Sequence, residues 1–253
     1  MTRLINKKII IDIPFNIDFT NYYPDDPYCQ NAFNRSYNKT QTKEWIDYRI
    51  HIFMKYTANS LIHQTDQSFL CMVRYNPPTE LLILDALSHY PPLPDNIIFT
   101  CEPDKIRDQA MEGHDYLYQV IIDSDNMYSS DFIQKVNQYP YKEGLECLLC
   151  HEGYIYDAPT ERLALIVHDS PSFYVYIYTP ETFTKYYKKR LFETHWNAAK
   201  LNHKPIPGFN YMIVAHEQNV DNNFDYIVSW IHGQYIDDPI IRKSILSKWH
   251  IQN

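Results

Sequence analysis

The stretch VIIDSDNMYSSDF, residues 120–132, places a short apolar run directly before two carboxylates that are separated by one small residue. Residues 117–122 favour a β-strand, and the polar residues after Asp125 favour a helix start. In an open parallel sheet, ligands bind beyond the carboxyl ends of the strands. Asp123 and Asp125 therefore stand where two carboxylates can face one hard cation, or where they can cap the following helix.

Alternating strand and helix patterns lead up to this stretch. Strands are predicted at 8–13, 69–75, 97–101 and 117–122, and helices at 42–61, 79–88 and 104–113. Thr42 and Asp104 are the predicted N-caps of the first and third of these helices. The order β-α-β-α-β-α-β indicates a mostly parallel sheet that is covered by helices on both faces.

The pattern changes after a helix predicted at 131–139. Residues 145–156 and 163–178 are predicted as antiparallel strands, and helices are predicted at 181–200, 224–235 and 239–249. A polar, Pro- and Tyr-rich segment, 14–41, is predicted as a long loop. The whole chain, 1–253, is therefore interpreted as one α/β domain with a parallel first half and an irregular second half.

Composition excludes several classes of function. The chain has 253 residues and a net charge of −8, and the longest Lys/Arg run is Lys188–Arg190, so phosphate-backbone binding to nucleic acid is disfavoured. No apolar run approaches the ~20 residues that cross a bilayer, and a signal peptide is not indicated. The five glycines have none of the spacings of dinucleotide-binding loops, P-loops or nucleophile elbows.

The five cysteines are an odd number and fall mostly in apolar runs. They predict reduced thiols in a cytoplasmic protein. Cys147 and Cys150 have C-x-x-C spacing, but residues i and i+3 of a strand point to opposite faces. Two buried thiols are therefore predicted in place of a zinc or redox site.

A cation at the Asp pair would have a definite chemical use. It would neutralise the charge that develops on a diphosphate leaving group as its bond breaks. A nucleotide-diphosphate sugar is the class of substrate whose leaving group has this need. Capping of the helix that begins near residue 131 remains the alternative.

Three further stretches carry a resemblance to a known family. They are EWIDYRIHIFMKYTANSLIHQTDQSFLCMV (44–73), GYIYD with the later HDSPSFYVYI, and GFNYMIVAHEQNVDN (208–222). Together with the strand–DSD–helix element, they resemble glycosyltransferases of the GT-A fold and, in their order, the putative rhamnosyltransferase family of bacteria. The family carries an Arg two places before the first Asp and a third Asp after the second. This chain has Ile121 and Asn126 at these positions, and the two differences concern the identity of the donor sugar more than the fold.

The resemblance implies a GT-A-like (Rossmann-like), mostly parallel sheet with flanking helices. It implies a nucleotide-sugar-binding half at 1–140 and a mixed, antiparallel acceptor-side half at 141–253. The donor would be a UDP-, dTDP- or GDP-linked sugar and the acceptor a glycan or glycoconjugate, such as a bacterial surface polysaccharide precursor.

The resemblance also implies roles for individual residues. Asp125 would bind Mn²⁺ or Mg²⁺ directly, and Asp123 would contact the metal through water or hold the donor ribose. His216 would be the third metal ligand. Arg107, one helix before the Asp pair, would meet the nucleotide or its phosphates.

A transferase that inverts the anomeric centre needs a carboxylate or imidazole base for the acceptor hydroxyl. Glu181, which follows the apolar run FYVYIYTP, is the favoured candidate, with Asp169 and His195 as competitors. A retaining mechanism would not need this base, and the sequence is compatible with either.

Two other functions and three roles for the C-terminal helix stay open. The protein is alternatively a metal-dependent phosphoesterase or nucleotidyltransferase, or a catalytically inactive module that binds sugars or partners on the same fold. The amphipathic helix at 239–249 would pack on its own domain, pair two subunits as a homodimer, or contact the inner face of the membrane.

Overall fold

The computed structural model describes residues 6–17, 39–190, 193–219 and 223–251. The tyrosine-rich segment 22–28 and most of the predicted loop at 14–41 lie outside these ranges. Within them, the strands are β1 (Lys7–Pro14), β2 (Leu70–Arg74), β3 (Ile97–Thr100), β4 (Tyr116–Ile121), β5 (Met127–Tyr128), β6 (Cys147–Leu149), β7 (Glu152–Asp157), β8 (Arg162–Val167), β9 (Tyr174–Tyr178), β10 (His203–Pro205), β11 (Phe209–Ala215) and β12 (Gln234–Tyr235).

The α-helices of the same ranges are α1 (Lys43–Ile52), α2 (Asn59–Ile62), α3 (Glu80–Leu87), α4 (Pro103–Met111), α5 (Phe132–Gln138), α6 (Pro180–Arg190), α7 (His195–Ala198), α8 (Phe224–Trp230) and α9 (Pro239–Lys248). A π-helical segment, Phe53–Ala58, joins α1 to α2 without a break. Thr42 caps α1, because its side chain accepts a hydrogen bond from the Trp45 N–H at 3.3 Å. The predicted helix and its cap are confirmed.

The main sheet has the strand order β10-β6-β9-β4-β1-β2-β3. β4, β1, β2 and β3 are paired in parallel, as are β6 and β10, and β9 runs antiparallel to both β4 and β6. β1 is buried on both faces, since Ile9 and Ile11 belong to the larger core and Ile10 to a second core on the other face. This mostly parallel, helix-covered sheet confirms the predicted α/β class.

The reversal of β9 decides which loops lie near the Asp pair. In the register of β4 with β9, Ile121 is opposite Tyr174 and Leu117 is opposite Tyr178. The residues that precede β9 therefore lie at the edge of the sheet that is formed by the carboxyl end of β4. The residues that follow β9 lie at the opposite edge.

A second sheet, of order β12-β8-β7-β11-β5, begins directly after the Asp pair. Each of the two long strands predicted at 145–156 and 163–178 is wrong as a single element. The first divides into β6 and β7, and the second into β8 and β9, with one piece of each in either sheet. The reason is a break at His151 and another at 168–173, where Pro171 lacks the N–H of a strand ladder.

Two predicted helix ends also differ. α4 begins at Pro103, a residue that suits the first turn, and Glu102 precedes it without a side-chain cap. Asp104 is therefore not the cap. It forms an ion pair with Arg107, with 2.8 Å between Asp104 Oδ1 and Arg107 Nη1. The helix predicted at 224–235 ends at Trp230.

The C-terminal helix packs on its own domain. Asp238 accepts hydrogen bonds from the N–H groups of Ile240 and Ile241, and the buried Trp249 meets the Tyr154 ring edge-on, with 6.1 Å between centroids. Among the described residues, none of the helices combines the length and apolar character that crossing a membrane requires.

Candidate active site

Asp123 and Asp125 follow the carboxyl end of β4 and have different surroundings. Asp123 is exposed to solvent, whereas Asp125 is only 5% exposed, and its buried Oδ1 has no hydrogen-bond partner among the described residues. Ser124, between them, is buried. The first carboxylate is thus open to a ligand, and the second is held inside the protein.

Arg49, on α1, holds the second carboxylate. Its Nη1 donates to Asp125 Oδ2 at 2.9 Å, and its Nη2 donates to Ser124 Oγ at 2.5 Å. The guanidinium also lies over the Trp45 ring, 5.7 Å from its centroid, and Trp45 packs edge-on against Phe15 at the end of β1. This chain of contacts connects the ends of β1 and β4 through one helix.

His216, directly after β11, completes the group. Its Nε2 lies 3.2 Å from Asp125 Oδ2 and 3.2 Å from Arg49 Nη1. Its Nδ1 accepts the Gln218 N–H at 3.3 Å and lies 3.1 Å from the Tyr48 hydroxyl. Nε2 thus faces both a carboxylate oxygen and a guanidinium nitrogen, and His216 is bonded on both sides of its ring.

The two carboxylates differ in acidity for physical reasons. Burial alone would raise the pKa of Asp125, but the hydrogen bond from His216 and the charge of Arg49 lower that pKa below its usual value. Desolvation of the carboxylate, and then the negative charge of Asp125, raise the pKa of Asp123 to about 6. Asp125 is thus paired with Arg49, whereas no cationic side chain of the described residues forms an ion pair with Asp123.

Asn126 explains one departure from the family pattern. Its side-chain oxygen accepts the Val214 N–H at 3.1 Å, and its Nδ2 donates to Asp123 Oδ2 at 3.4 Å. An Asp at this position would not donate to Asp123, and it would add a third negative charge to the group. Asn126 thus ties β11 to the first carboxylate of the pair.

The fit of Mn²⁺ or Mg²⁺ can be judged from the groups that face each other. An exposed Asp123 and the unpaired Oδ1 of Asp125 suit a cation that shares its shell with substrate phosphates. His216 Nε2 faces Asp125 Oδ2 and Arg49 Nη1 in this arrangement, and its role as the third metal ligand stays a prediction. No three Asp, Glu, His or Cys side chains of the described chain converge as a complete metal cage.

Glu181 does not belong to this site. It begins α6, after β9, and β9 runs antiparallel to β4. Glu181 therefore lies beyond the edge of the sheet that is opposite to Asp123 and Asp125. The structure therefore does not bring Glu181 to the Asp pair, because the sequence pattern predicts the strand but not its direction.

Arg107 is also placed elsewhere than predicted. It is 2% exposed, donates to Asp12 Oδ2 at 2.7 Å and pairs with Asp104. Asp12 is held further by Arg74 and by Gln119. Arg107 is therefore part of a buried ion cluster, and its guanidinium is not available to nucleotide phosphates.

The other two base candidates lie at the correct edge. Asp169 is exposed in the loop that precedes β9. His195, the first residue of α7, is held to the same loop, because its Nδ1 bonds the Ser170 carbonyl oxygen. The structure thus brings the region of Asp169 and His195 to the sheet edge that carries the Asp pair.

A polar cavity of about 380 Å³ adjoins the group on the side of β7 and β11. Its walls include His216 and Asn219, and Asn219 Nδ2 donates to Asp125 Oδ2 at 3.2 Å. Arg162 crosses the cavity wall between Asp157 and Asp225, with ion pairs of 2.8 and 2.7 Å. Space for a polar ligand therefore begins next to the second carboxylate.

Arg49 and Ser124 join the group around the Asp pair without having been predicted as site residues from the sequence. A signal for Arg49 was present: it occupies the apolar stripe of its helix, between Ile46 and Phe53, both fully buried. A charged residue on a buried stripe needs a buried partner. The partner's identity required the fold.

No protein-family model and no curated protein matches the sequence. Three solved structures of S. aureus TarS 1–349 are similar to it. The first has 13% identity and a TM-score of 0.39, and the alignment covers 82% of this chain and 60% of TarS 1–349. The complex with UDP-GlcNAc gives 13% identity, coverage of 84% and 60% and a TM-score of 0.40. The complex with UDP has 14% identity and a TM-score of 0.37, and the alignment covers 82% of this chain and 60% of TarS 1–349. The chain thus spans about 60% of the length of these proteins, and the resemblance to the rhamnosyltransferase family stays a prediction.

Proposed function

We propose that the protein transfers a sugar from a nucleotide-diphosphate sugar to a hydroxyl group of a glycan or glycoconjugate. The observation that carries this proposal is the pair of unlike carboxylates at the carboxyl end of β4. Arg49 holds Asp125 in its charged form, while Asp123 is exposed and has no ion-pair partner among the described residues. Such an end of a parallel strand is where ligands of open α/β sheets bind.

Asp123 and Asp125 would hold Mn²⁺ or Mg²⁺ together with the donor diphosphate. The ion would neutralise the leaving nucleoside diphosphate when it is bound. Arg49 fixes the orientation of Asp125 by a direct hydrogen bond, holds Ser124 with its other terminal nitrogen, and keeps the carboxylate of Asp125 ionised. Asp123 would alternatively accept hydrogen bonds from the donor ribose.

The transfer forms a bond from the acceptor oxygen to the anomeric carbon and breaks the bond from that carbon to the diphosphate. In an inverting reaction a base takes the hydroxyl proton as the oxygen attacks. Asp169 and His195 are the two candidates on the correct edge of the sheet. The nucleoside diphosphate leaves with the electron pair of the broken bond.

Calorimetric titration of UDP, dTDP and GDP, each with and without Mn²⁺, tests the donor site. We expect one nucleotide to bind in the presence of Mn²⁺, and we expect Asp125→Ala to abolish this binding. Asp95→Ala, which removes an exposed carboxylate remote from the site, is the matched control and should bind as wild type. Absence of binding for all three nucleotides would reject the proposal and favour the inactive binding module.

A further inference from the structure

A second pocket, of about 270 Å³, lies between α7, α8 and the loop before β9. We call it the histidine–tryptophan pocket, after His168, His195 and Trp230, which line it with Ser170, Phe173 and Tyr226. None of the described residues that line it is an Asp, Glu, Lys or Arg. Its ligand is therefore expected to be uncharged.

The pocket carries aromatic rings that remain open to solvent. Trp230 is 52% exposed and Tyr226 is 64% exposed. The His168 ring lies 5.2 Å from the ring of Trp230 and 5.6 Å from that of Trp196, between centroids. Aromatic faces that stay partly exposed beside polar groups suit a ligand that has both an apolar face and a polar edge.

The two histidines have fixed and opposite hydrogen-bonding roles. Ser170 N–H donates to His168 Nδ1 at 2.9 Å, so a neutral His168 carries its hydrogen on Nε2. The Ser170 carbonyl oxygen takes the hydrogen of His195 Nδ1, so Nε2 of His195 is an acceptor. Burial and the nearby His195 lower the pKa of His168, which favours its neutral ring. No described residue bonds either Nε2, so the pocket offers one donor and one acceptor.

The pocket is joined to the Asp pair through the core. Phe173, in its wall, lies at the end of β9 that is paired with the end of β4. The Phe173 ring packs edge-on against Tyr128, with 5.8 Å between centroids, and the Tyr128 hydroxyl donates to the Ile121 carbonyl oxygen at 2.7 Å. Ile121 is two residues before Asp123.

We propose that the histidine–tryptophan pocket binds a neutral sugar ring of the acceptor, with a hydroxyl group placed between His168 and His195 and the ring face against Trp230. A hydroxyl both donates and accepts, as the two Nε2 atoms require, and a pyranose ring has C–H faces that pack on indole. The volume is below the range of sites for larger ligands, so it suits one saccharide unit and not a nucleotide. This inference rests on the proposed sugar transfer, whose donor site is separate.

Saturation-transfer difference NMR with three methyl glycosides tests the pocket. The probes are methyl β-D-glucopyranoside, methyl β-D-galactopyranoside and methyl α-L-rhamnopyranoside, with wild type, Trp230→Ala and His168→Ala. We expect signal from at least one glycoside and a fall of about fivefold in both variants, since an aromatic contact contributes modestly to affinity. Tyr235→Ala, which removes an equally exposed aromatic outside the pocket, should leave the signal unchanged. Circular dichroism verifies that each variant is folded.

The outcomes separate the pocket from the donor site. Nucleotide binding that persists in Trp230→Ala while the glycoside signal falls supports both proposals. A wild type that binds nucleotide but gives no glycoside signal, or a signal equal in wild type and both variants, overturns the pocket. A glycoside signal that falls in the variants, without nucleotide binding by wild type, supports the pocket and overturns the donor site alone.

Discussion

Arg49 Nη1 lies 2.9 Å from Asp125 Oδ2, so the protein itself supplies a counter-ion to the second carboxylate of the pair. Both side chains are largely buried, at 13% and 8% exposure. A buried carboxylate that loses its partner is strongly destabilising, even where the pair itself adds little net stability. The geometry of the candidate donor site therefore depends on a helix in the first half of the chain.

Substitution of Arg49 should show this dependence. We expect Arg49→Met to lower the free energy of unfolding by about 3 kcal/mol, since Asp125 is left buried without its cation. Urea denaturation measures the change. Mn²⁺ should restore more stability to Arg49→Met than to wild type, because a bound cation replaces the lost charge. Arg49→Lys keeps the positive charge but cannot contact both Asp125 and Ser124 as the guanidinium does. Its free energy of unfolding should therefore lie between those of Arg49→Met and wild type. A loss smaller than ~1 kcal/mol, as for a surface pair, would contradict the assigned role.

Asp123 should make the folded protein less stable as pH rises. Its pKa is raised from 3.8 to about 6 on folding, so between these values the folded state binds more protons than the unfolded state. Stability then falls with increasing pH in this window. Because the side chain is exposed, we expect Asp123→Asn to gain less than about 1 kcal/mol at pH 7. The gain should disappear below pH 3.8; a gain that is independent of pH would argue against this cause.

The buried cluster around Asp12 should act in the opposite direction. Burial alone would raise the pKa of Asp12, but Arg74 and Arg107 lower it from 3.8 to about 2. The stabilising contribution of Asp12 is therefore complete above its pKa in the unfolded state, and it is lost as pH falls through its pKa in the folded state. This contribution amounts to about 2 kcal/mol. Urea midpoints between pH 5 and pH 2, compared for wild type and Asp12→Asn, measure it. The midpoint of the variant should vary less with pH over this range.

The direction of β9 predicts which acidic residue is dispensable for transfer. Glu181→Gln should keep the rate of nucleotide release from the donor, because Glu181 lies at the opposite sheet edge. If the reaction inverts and Asp169 is the base, Asp169→Asn should lower the rate by roughly 10²-fold or more. Nucleotide binding, measured in parallel, should be unchanged in both. Loss of turnover in Glu181→Gln with intact folding would contradict the assignment of the edge.

Gly153 is required by a close ring contact. A Cβ at this position would lie 2.6 Å from the Tyr211 ring, and that ring is stacked on Phe173 with 4.0 Å between centroids. Gly153→Ala would force both rings to move, and we expect a loss of about 1–3 kcal/mol. Thermal unfolding measures it. Gly113→Ala, where no atom lies within 4 Å but φ is +73°, separates backbone strain from this steric effect.

Local patterns predicted most of the parallel half correctly. The run KKIIIDIP contains apolar residues on both faces, which is typical of a central parallel strand, and Thr42 has the side chain that an N-cap requires. The Asp pair could also be identified, because it directly follows an apolar strand. These features depend on residues that are neighbours in sequence.

The remaining features depend on residues that are distant in sequence. Whether β9 is parallel or antiparallel to β4 is set by the pairing of Ile121 with Tyr174, and no local pattern encodes it. The partner of Arg107 was unpredictable for the same reason, since Asp12 is brought to it by the sheet. Cys147 and Cys150 were predicted correctly as buried thiols on opposite faces, because strand geometry alone separates them.

The position of β9 between β4 and β6 has a consequence for synthesis on the ribosome. β4 is made well before β9, so a nascent chain of the first 140 residues presents the backbone N–H and C=O groups of β4 as an open edge. Such edges promote association with other chains, and pairing across a long sequence separation is slow. The main sheet is therefore expected to be completed only once β9 has been made, and a chain truncated near residue 140 should aggregate.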